Sequence, residues 1–581
     1  MEPSQPNFIA HLPVPYELSS TDKTIQPKFL QPEDTTCAMG ALTRICAPRI
    51  MDSHFIRRLL LGVLALAAVL LFTRQSRAQE PTAAATVARF DVFEYRVEGN
   101  SVLAVELVER AVYPFLGEKR SVDDVEAARV ALENAYRYAG FGTVLVDTPE
   151  QQIVDGVVVL HVIQAPVSRL RVVGARFYSQ GKILDKVPAL AEGKVPNFKE
   201  VTEQLAGVNR TADRRVTPLL RPGKATGTTE VDLMVEDKSP FHGNVEINNK
   251  YSANTTPTRL QASLRYDNLW QREHSIGFQW QTSPENTSEV RVLSGSYTVP
   301  AENGLWSLSF IRSDSNTVAG VGSTTVFGRG SIYGLRRVLI LPSDTELSQT
   351  LTLGFDRKSF MESVSVGPNQ GFETPIHYVP FTAGYASSRV DKKGAWQLGS
   401  SVTFALRGLG SNESQFADKR YQGQSNFSVI KFDMARTQFI PSGLTLFGKL
   451  NGQVSTQPLI SNEQFVAGGA DSVRGYLDAS AVGDNGLRGS LELRSSNLAT
   501  DGMRGISGLT ALAFMEGAGL WLRSPLPQQD ARSGLLGTGV GLRLQSGSSV
   551  SFGVDLAWAL RDAGTTRRGD LRLHANGVVE F

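Results

Sequence analysis

Near the end of the chain, Val550, Phe552, Val554, Leu556, Trp558 and Leu560 share one face of a period-two run, with Ser551, Gly553, Asp555, Ala557 and Ala559 on the other. Successive side chains of a strand point to opposite faces, so this alternation describes an extended segment with all its bulk on one side. The last segment repeats it, with Leu571, Leu573, Ala575, Gly577, Val579 and Phe581 set against Arg572, His574, Asn576 and Glu580. A soluble barrel turns its bulky side chains inward. Bulk outside and small or polar residues inside invert that arrangement and fit a wall facing lipid. Backbone N–H and C=O groups in hydrocarbon must pair within the protein, so lipid-facing strands demand a closed barrel.

After Asp237-Lys-Ser-Pro240 no helical period remains. Residues 239–581 accommodate about sixteen strand-like runs, at roughly 21 residues per strand and connection, within the range of outer-membrane barrels. The alternation is weakest between Thr324 and Leu341. The prediction is a β-dominated chain ending in a 16-stranded transmembrane barrel, with a soluble β-sandwich as the competing reading.

The N-terminus supports an envelope destination. Met51 to Arg58 carries the pair Arg57-Arg58, Leu59 to Phe72 is apolar, and Ser76 and Ala78 supply small residues. A basic stretch, an apolar run too short to span a bilayer and small residues make a secretory signal over 51–78, cleaved at Ala78. A membrane anchor would need about 20 apolar residues. Residues 1–50 read as a leader or an over-extended start, with Met51 as the initiator. Both cysteines, Cys37 and Cys46, precede the cleavage point, so the mature chain is expected to carry none.

Between the signal and the barrel lie two similar units. In the first, 89–164, Phe93, Tyr95 and Val97 alternate as a strand closed by Glu98-Gly99-Asn100. A helix is expected from Val105 to Pro114 and another from Ser121, which with Asp124 resembles a capping box, to Ala139-Gly140. Strands at Val144 to Val146 and Val157 to Ile163 complete it. The order recurs over 165–238: Leu170, Val172 and Gly174 answer Tyr95, Val97 and Gly99, followed by a helix capped near Asn197, a turn at Leu219 to Gly223 and a strand from Glu230 to Glu236. This is an internal repeat of one β-α-α-β-β module. Its exposed sheet edge could accept an extended client strand by backbone pairing. Inert spacers would look the same in the sequence.

One stretch stands apart: Val473-Arg474-Gly475-Tyr476, inside the Gly-rich segment Gly468 to Leu477 between two amphipathic strands. Gly-Gly and Arg-Gly are ordinary turn dipeptides. The strands on either side point instead to a loop, 457–485, folded back inside the pore.

Two β-α-α-β-β modules, a sixteen-strand barrel and Val473-Arg474-Gly475-Tyr476 between the eleventh and twelfth strands together resemble the two-partner secretion (TpsB-type) outer-membrane transporters. These are the haemolysin secretion/activation proteins of the POTRA-plus-β-barrel superfamily. Asp471-Ser472, Gly483-Asp484-Asn485-Gly486, Leu491-Glu492-Leu493, and Pro222-Gly223 with Gly227 are similar to the family as well. The resemblance implies that the modules are POTRA domains binding an unfolded, TpsA-like exoprotein of the haemolysin or adhesin kind, which leaves through the pore. It implies that the loop arginine gates the path and pairs with an acidic residue in an inner-wall Phe-x-Asp-x-Gly motif. Here that segment is Phe514-Met515-Glu516-Gly517-Ala518-Gly519, giving Phe514, Glu516, Gly517 and Gly519 as the expected inner-wall set, with Glu for Asp and Ala518 where Gly is usual. A bidentate carboxylate can replace the water that an arginine loses in a narrow lumen. The resemblance further implies a monomer in the outer-membrane bilayer, inserted by the barrel assembly machinery with Phe581 as its C-terminal signal. Some members plug the barrel with an N-terminal helix. Here only the linker 79–88 precedes the first module, too short at about 1.5 Å per residue to cross a barrel, so obstruction is expected mainly from the inward loop.

Other functions find little support. Net charge is +2, from 59 basic and 57 acidic residues, so no electrostatic case for nucleic acid exists. The histidines His11, His54, His161, His242, His274, His377 and His574 show no ligand spacing, so no metal is expected. No nucleophile elbow or phosphate loop is present, and neither an enzyme nor a cofactor is expected. Two competing functions are an assembly factor that inserts other barrels and a diffusion porin with accessory domains. The porin leaves the paired modules and the inward arginine without a role.

Overall fold

A computed structural model describes residues 89–315, 318–321, 324–344, 346–365, 371–500 and 502–581. The leader (1–50), the secretory signal (51–78) with its cleavage at Ala78, both cysteines and the linker (79–88) lie outside the described residues.

Sixteen antiparallel strands close into one barrel, from Phe241–Asn248 to Leu571–Glu580. Period-two chemistry sets which side faces out. In the fifteenth strand, Val550–Ala559, Phe552 and Val554 are 51% and 43% exposed while Gly553, Asp555, Ala557 and Ala559 are buried inward. No helix among the described residues is long and apolar enough to cross a membrane; the apolar belt is made by strands. The ring closes where Asn244 to Asn248 of the first strand pair with Asn576 to Glu580 of the last. Gly243 and Phe581 extend that seam, exchanging two backbone hydrogen bonds of 2.9 Å. Closure removes the sheet edges that lipid would leave unpaired.

Two features depart from the sequence reading of this region. A capped helix, Glu413–Lys419, sits between the ninth and tenth strands, with Asn412 and Gln415 satisfying each other's backbone groups. Two turns are too short to register as a helical period against the surrounding alternation. The weak stretch divides: Thr324–Phe327 belongs to a separate hairpin with Val318–Val321, and Arg329–Ile340 is the sixth wall strand.

The two modules share one topology. In the first, Glu94–Glu98 runs parallel to Val157–Ile163, which also pairs antiparallel with Leu145–Asp147. In the second, Val167–Val173 runs parallel to Thr229–Asp237, flanked by Arg214–Pro222. The repeat extends to backbone strain: Gly99 and Gly174 have φ of +86° and +95°, and a Cβ on either would lie 2.5 Å from a carbonyl oxygen, of Val162 and Val235 respectively. Only glycine fits both positions. The long helix, Val122–Ala139, carries the expected capping box at Ser121 and Asp124 and ends at left-handed Gly140. Leu219 to Pro222 are strand rather than turn; the chain reverses at Gly223, whose N–H reaches the Thr228 carbonyl at 2.8 Å. A two-stranded sheet, Phe90–Val92 with Gly117–Arg120, is additional to the predicted module.

The second module is locked to the turn between the second and third barrel strands. Glu273 in that turn accepts Arg214 at 2.7 Å and Lys186 at 2.5 Å. Gln271 accepts the Ser179 N–H at 2.9 Å and donates to the Phe177 carbonyl at 3.0 Å. Burial pushes the Glu273 carboxyl up, but the hydrogen bonds and charges of Lys186 and Arg214 outweigh it and hold the group below its ordinary value. The stabilisation is therefore fully present above the unfolded pKa of about 4.3 and is lost as pH falls through the lower folded value. Spin labels on the second module and the barrel rim are expected to hold one distance at neutral pH that broadens only at pH below about 4. In Glu273→Gln the distance should be broad at neutral pH too; a sharp distance in that variant would contradict this role.

Candidate functional site

The segment between the eleventh strand, Thr445–Ser455, and the twelfth, Asn485–Arg494, folds back into the lumen. Its limbs form a small ladder, Phe465–Ala467 against Ala481–Gly483. Phe465, Ala467, Val473, Tyr476 and Ala481 pack as one cluster against Ala518, Leu520, Leu535 and Ala559 of the wall. The small residues of the inner face are what leave room for the loop.

At its tip Arg474 is 2% exposed. Its Nε and Nη2 donate to Glu516 Oε1 at 3.1 and 2.5 Å, and its backbone N–H donates to Oε2 at 2.7 Å. The contact is therefore not the two-oxygen fork that desolvation alone would favour: one carboxylate oxygen takes the guanidinium and the other caps the loop backbone. Arg474 Nη2 also pairs with Glu492, and Nη1 lies 3.3 Å from Asp555. The Phe514 ring lies beneath the guanidinium, 3.4 Å from centroid to Cζ. Arg494 pairs with Glu492 at 2.6 Å and Arg543 with Asp555 at 2.7 Å, so Arg474, Arg494 and Arg543 balance Glu492, Glu516 and Asp555. Balance matters because an unpaired buried charge costs several kcal/mol.

The neighbours of Arg474 are fixed with it. Gly475 (φ +96°) runs so close to the Trp558 and Ala559 backbone that a Cβ would sit 3.1 Å away. Its N–H donates to His574 Nε2 at 3.1 Å, which places the imidazole proton on Nδ1. The Tyr476 hydroxyl lies 3.0 and 2.8 Å from the carbonyls of Leu536 and Arg561.

The thirteenth strand, Gly508–Trp521, corrects part of the expected inner-wall set. Phe514, Glu516, Ala518 and Leu520 are buried, whereas Gly517 and Gly519 alternate to the outer face. Strand periodicity requires this, because residues one apart cannot share a face. Ala518 takes the inward place and packs against the loop.

The loop is also held at other points. Glu463, 4% exposed, accepts Lys358 Nζ and the Tyr378 hydroxyl at 2.6 Å each, from the seventh and eighth strands. Asp471 pairs with Lys250 at 3.0 Å, and Asp478 N–H meets the Tyr251 carbonyl at 3.0 Å, both just past the first strand. Asp484 ties the base together, accepting the N–H groups of Leu459 and Arg523 at 2.9 and 2.7 Å. Leu459, Ile460 and Phe416 of the short helix join the inward-facing Val292, Ile332, Phe360 and Tyr378 in an apolar cluster. The lumen is obstructed by more than the Arg474 tip.

Sequence reasoning found Arg474 and Glu516 but missed Glu492 and Asp555 as further partners of Arg474, and His574 as the acceptor of the Gly475 N–H. Alternation had already placed Asp555 and His574 on the inward face; which inward residues meet depends on register, such as Asp555 opposite His574. Arg474→Ala and Glu516→Ala are each expected to lose about 3–5 kcal/mol in chemical unfolding of the folded barrel. The double variant should lose clearly less than the sum; full additivity would show that the two side chains act separately.

The family described as "Haemolysin secretion/activation protein ShlB/FhaC/HecB" matches residues 227–544. The description "POTRA domain, ShlB-type" matches residues 90–165. The chain is similar to the outer membrane transporter CdiB of Dickeya dadantii, 23% identical over 68% of this chain and 71% of that protein. Its fold is similar to solved CdiB from Escherichia coli (TM-score 0.60, 20% identity, 87% of this chain and 93% of that one). It is also similar to BamA from Haemophilus ducreyi lacking POTRA domains 1-3 (TM-score 0.51, 13% identity, 85% and 100%). With more than half its length matched, the chain belongs to the haemolysin secretion/activation family, the TpsB-type outer-membrane transporters of two-partner secretion.

Proposed function

We propose that the loop carrying Val473-Arg474-Gly475-Tyr476 is the gate of this transporter, and that residues 89–164 and 165–238 are two POTRA domains that receive the exoprotein in the periplasm. The observation that carries the reading is the charge-balanced burial of Arg474 among Glu492, Glu516 and Asp555, on a loop that occupies the lumen. On this reading an extended polypeptide passes only when the loop leaves that space. The cargo enters as an unfolded chain, pairs along the module sheet edges, and displaces the loop in exchange for contacts of its own. The cargo is a TpsA-like exoprotein, consistent with a relative named a CdiB transporter. The transporter acts as a monomer and performs no catalysis; folding of the cargo outside supplies the drive. Phe581, at the barrel seam, is the residue by which the assembly machinery recognises the nascent barrel.

Mass spectrometry of culture supernatants tests this. Removal of residues 89–237 is expected to abolish release of one or two large exoproteins, and Arg474→Ala to lower it at least tenfold with the barrel still inserted. Unchanged supernatants with other barrels lost from the outer-membrane fraction would support the assembly-factor reading instead.

A further inference from the structure

Three side chains from three elements converge where the second module meets the barrel. Asp213 lies just before the strand Arg214–Pro222, His242 on the first barrel strand and Asp267 on the second, Arg259–Leu269. His242 Nε2 is 2.8 Å from Asp213 Oδ2 and 3.6 Å from Asp267 Oδ2. One ligand atom of each residue lies within 4.8 Å of the others. A single ring nitrogen carries at most one proton and makes one good hydrogen bond. Two carboxylate oxygens nevertheless face it, and the second, Asp267 Oδ2, also takes Arg265 Nε at 2.7 Å.

A central cation would engage the imidazole and both carboxylates at once. Metal–ligand distances of about 2.0–2.2 Å in a tetrahedral site place neighbouring ligand atoms roughly 3.4 Å apart, between the two separations seen here. One imidazole nitrogen and two carboxylate oxygens suit a borderline divalent ion of the zinc class, and three protein ligands leave a position for water. Neighbouring groups position the two carboxylates. Ser275 Oγ donates to Asp267 Oδ1 at 2.5 Å, and Arg265 Nε to Oδ2 at 2.7 Å. The Asp213 carbonyl accepts the Lys238 N–H at 2.8 Å, fixing the turn that presents the carboxylate. The side chains of Asp213, His242 and Asp267 are 9%, 35% and 19% exposed, shielded yet open to an arriving ion.

We propose that Asp213, His242 and Asp267 bind one divalent ion of the zinc class at the hinge between the second module and the barrel. The ion joins a module residue to the first two barrel strands, beside the Glu273 ion pairs but independent of them. It lies at the module-proximal ends of those strands and stands whether or not the Arg474 loop is a gate. Its function is to fix the direction in which the module presents its sheet to the pore mouth.

The test uses the tag-free full chain in detergent, stripped with a chelator and titrated with Zn²⁺ in a calorimeter and with Co²⁺ in a spectrophotometer. Wild type is expected to take up one ion per chain and to give the visible absorption of four-coordinate cobalt. His242→Ala should abolish both, and Asp267→Asn should weaken zinc binding at least tenfold. Heat-modifiable gel migration verifies that each variant barrel is folded. Absence of stoichiometric uptake by folded wild type overturns the proposal, as does uptake that His242→Ala leaves unchanged; the contact is then a plain His–Asp hydrogen bond.

Discussion

A guanidinium taken out of water must find carboxylates, and most of the lumen is arranged around that requirement. Arg474 reaches Glu516, Glu492 and Asp555 on three different strands. Those strands must sit in one register for the three carboxylates to meet, and Gly475 must be glycine for the backbone to come close enough. The wall supplies Ala518 and Ala559 where a larger side chain would push the loop away. Each carboxylate not fully satisfied by Arg474 has a further partner, Arg494, Arg543 or the Ser490 hydroxyl. The result is a buried network with matched charges, which favours one geometry more than it adds net stability.

The same loop is fastened on the opposite wall through Glu463 and beside the first strand through Lys250 and Asp471. These attachments are separated around the barrel. Under the proposed gating, a cargo chain that displaces one attachment leaves the others in place, so release of the loop would be stepwise. Lys250 with Asp471 is the more accessible of the ion pairs, at 32% and 77% of their side chains. Stepwise release would therefore start beside the first strand, while the Arg474 and Glu463 anchors still hold.

How much was legible in the sequence follows from which physical signal each part carries. The barrel was legible because hydrocarbon forces alternation, as in Val550 to Leu560. The repeat was legible because Gly99 and Gly174 are forced by the same backbone clash. Arg474 and Glu516 were reached through a resemblance rather than through spacing. Gly517 and Gly519 were assigned to the wrong face because a motif was read as a block, although period two separates Glu516 from Gly517. Glu463, Lys358 and Tyr378 were not legible: their meeting depends on strands far apart in the chain, and no local pattern encodes it. The cluster of His242 with Asp213 and Asp267 escaped for the same reason, since ligand spacing is read along the chain and these residues meet only across the module junction.

The most direct test of the central claim, that the loop must leave its seat for cargo to pass, is a tether. Ser252 and Asp478 are partners in a parallel β-bridge between the first barrel connection and the loop tip. Both cysteines of the sequence precede the predicted cleavage point. Ser252→Cys with Asp478→Cys therefore introduces a single pair. Export of the exoprotein is measured with the pair oxidised and again after reduction. Loss of export on oxidation, restored by reductant, is the predicted result; undiminished export through a fully oxidised transporter would contradict the account.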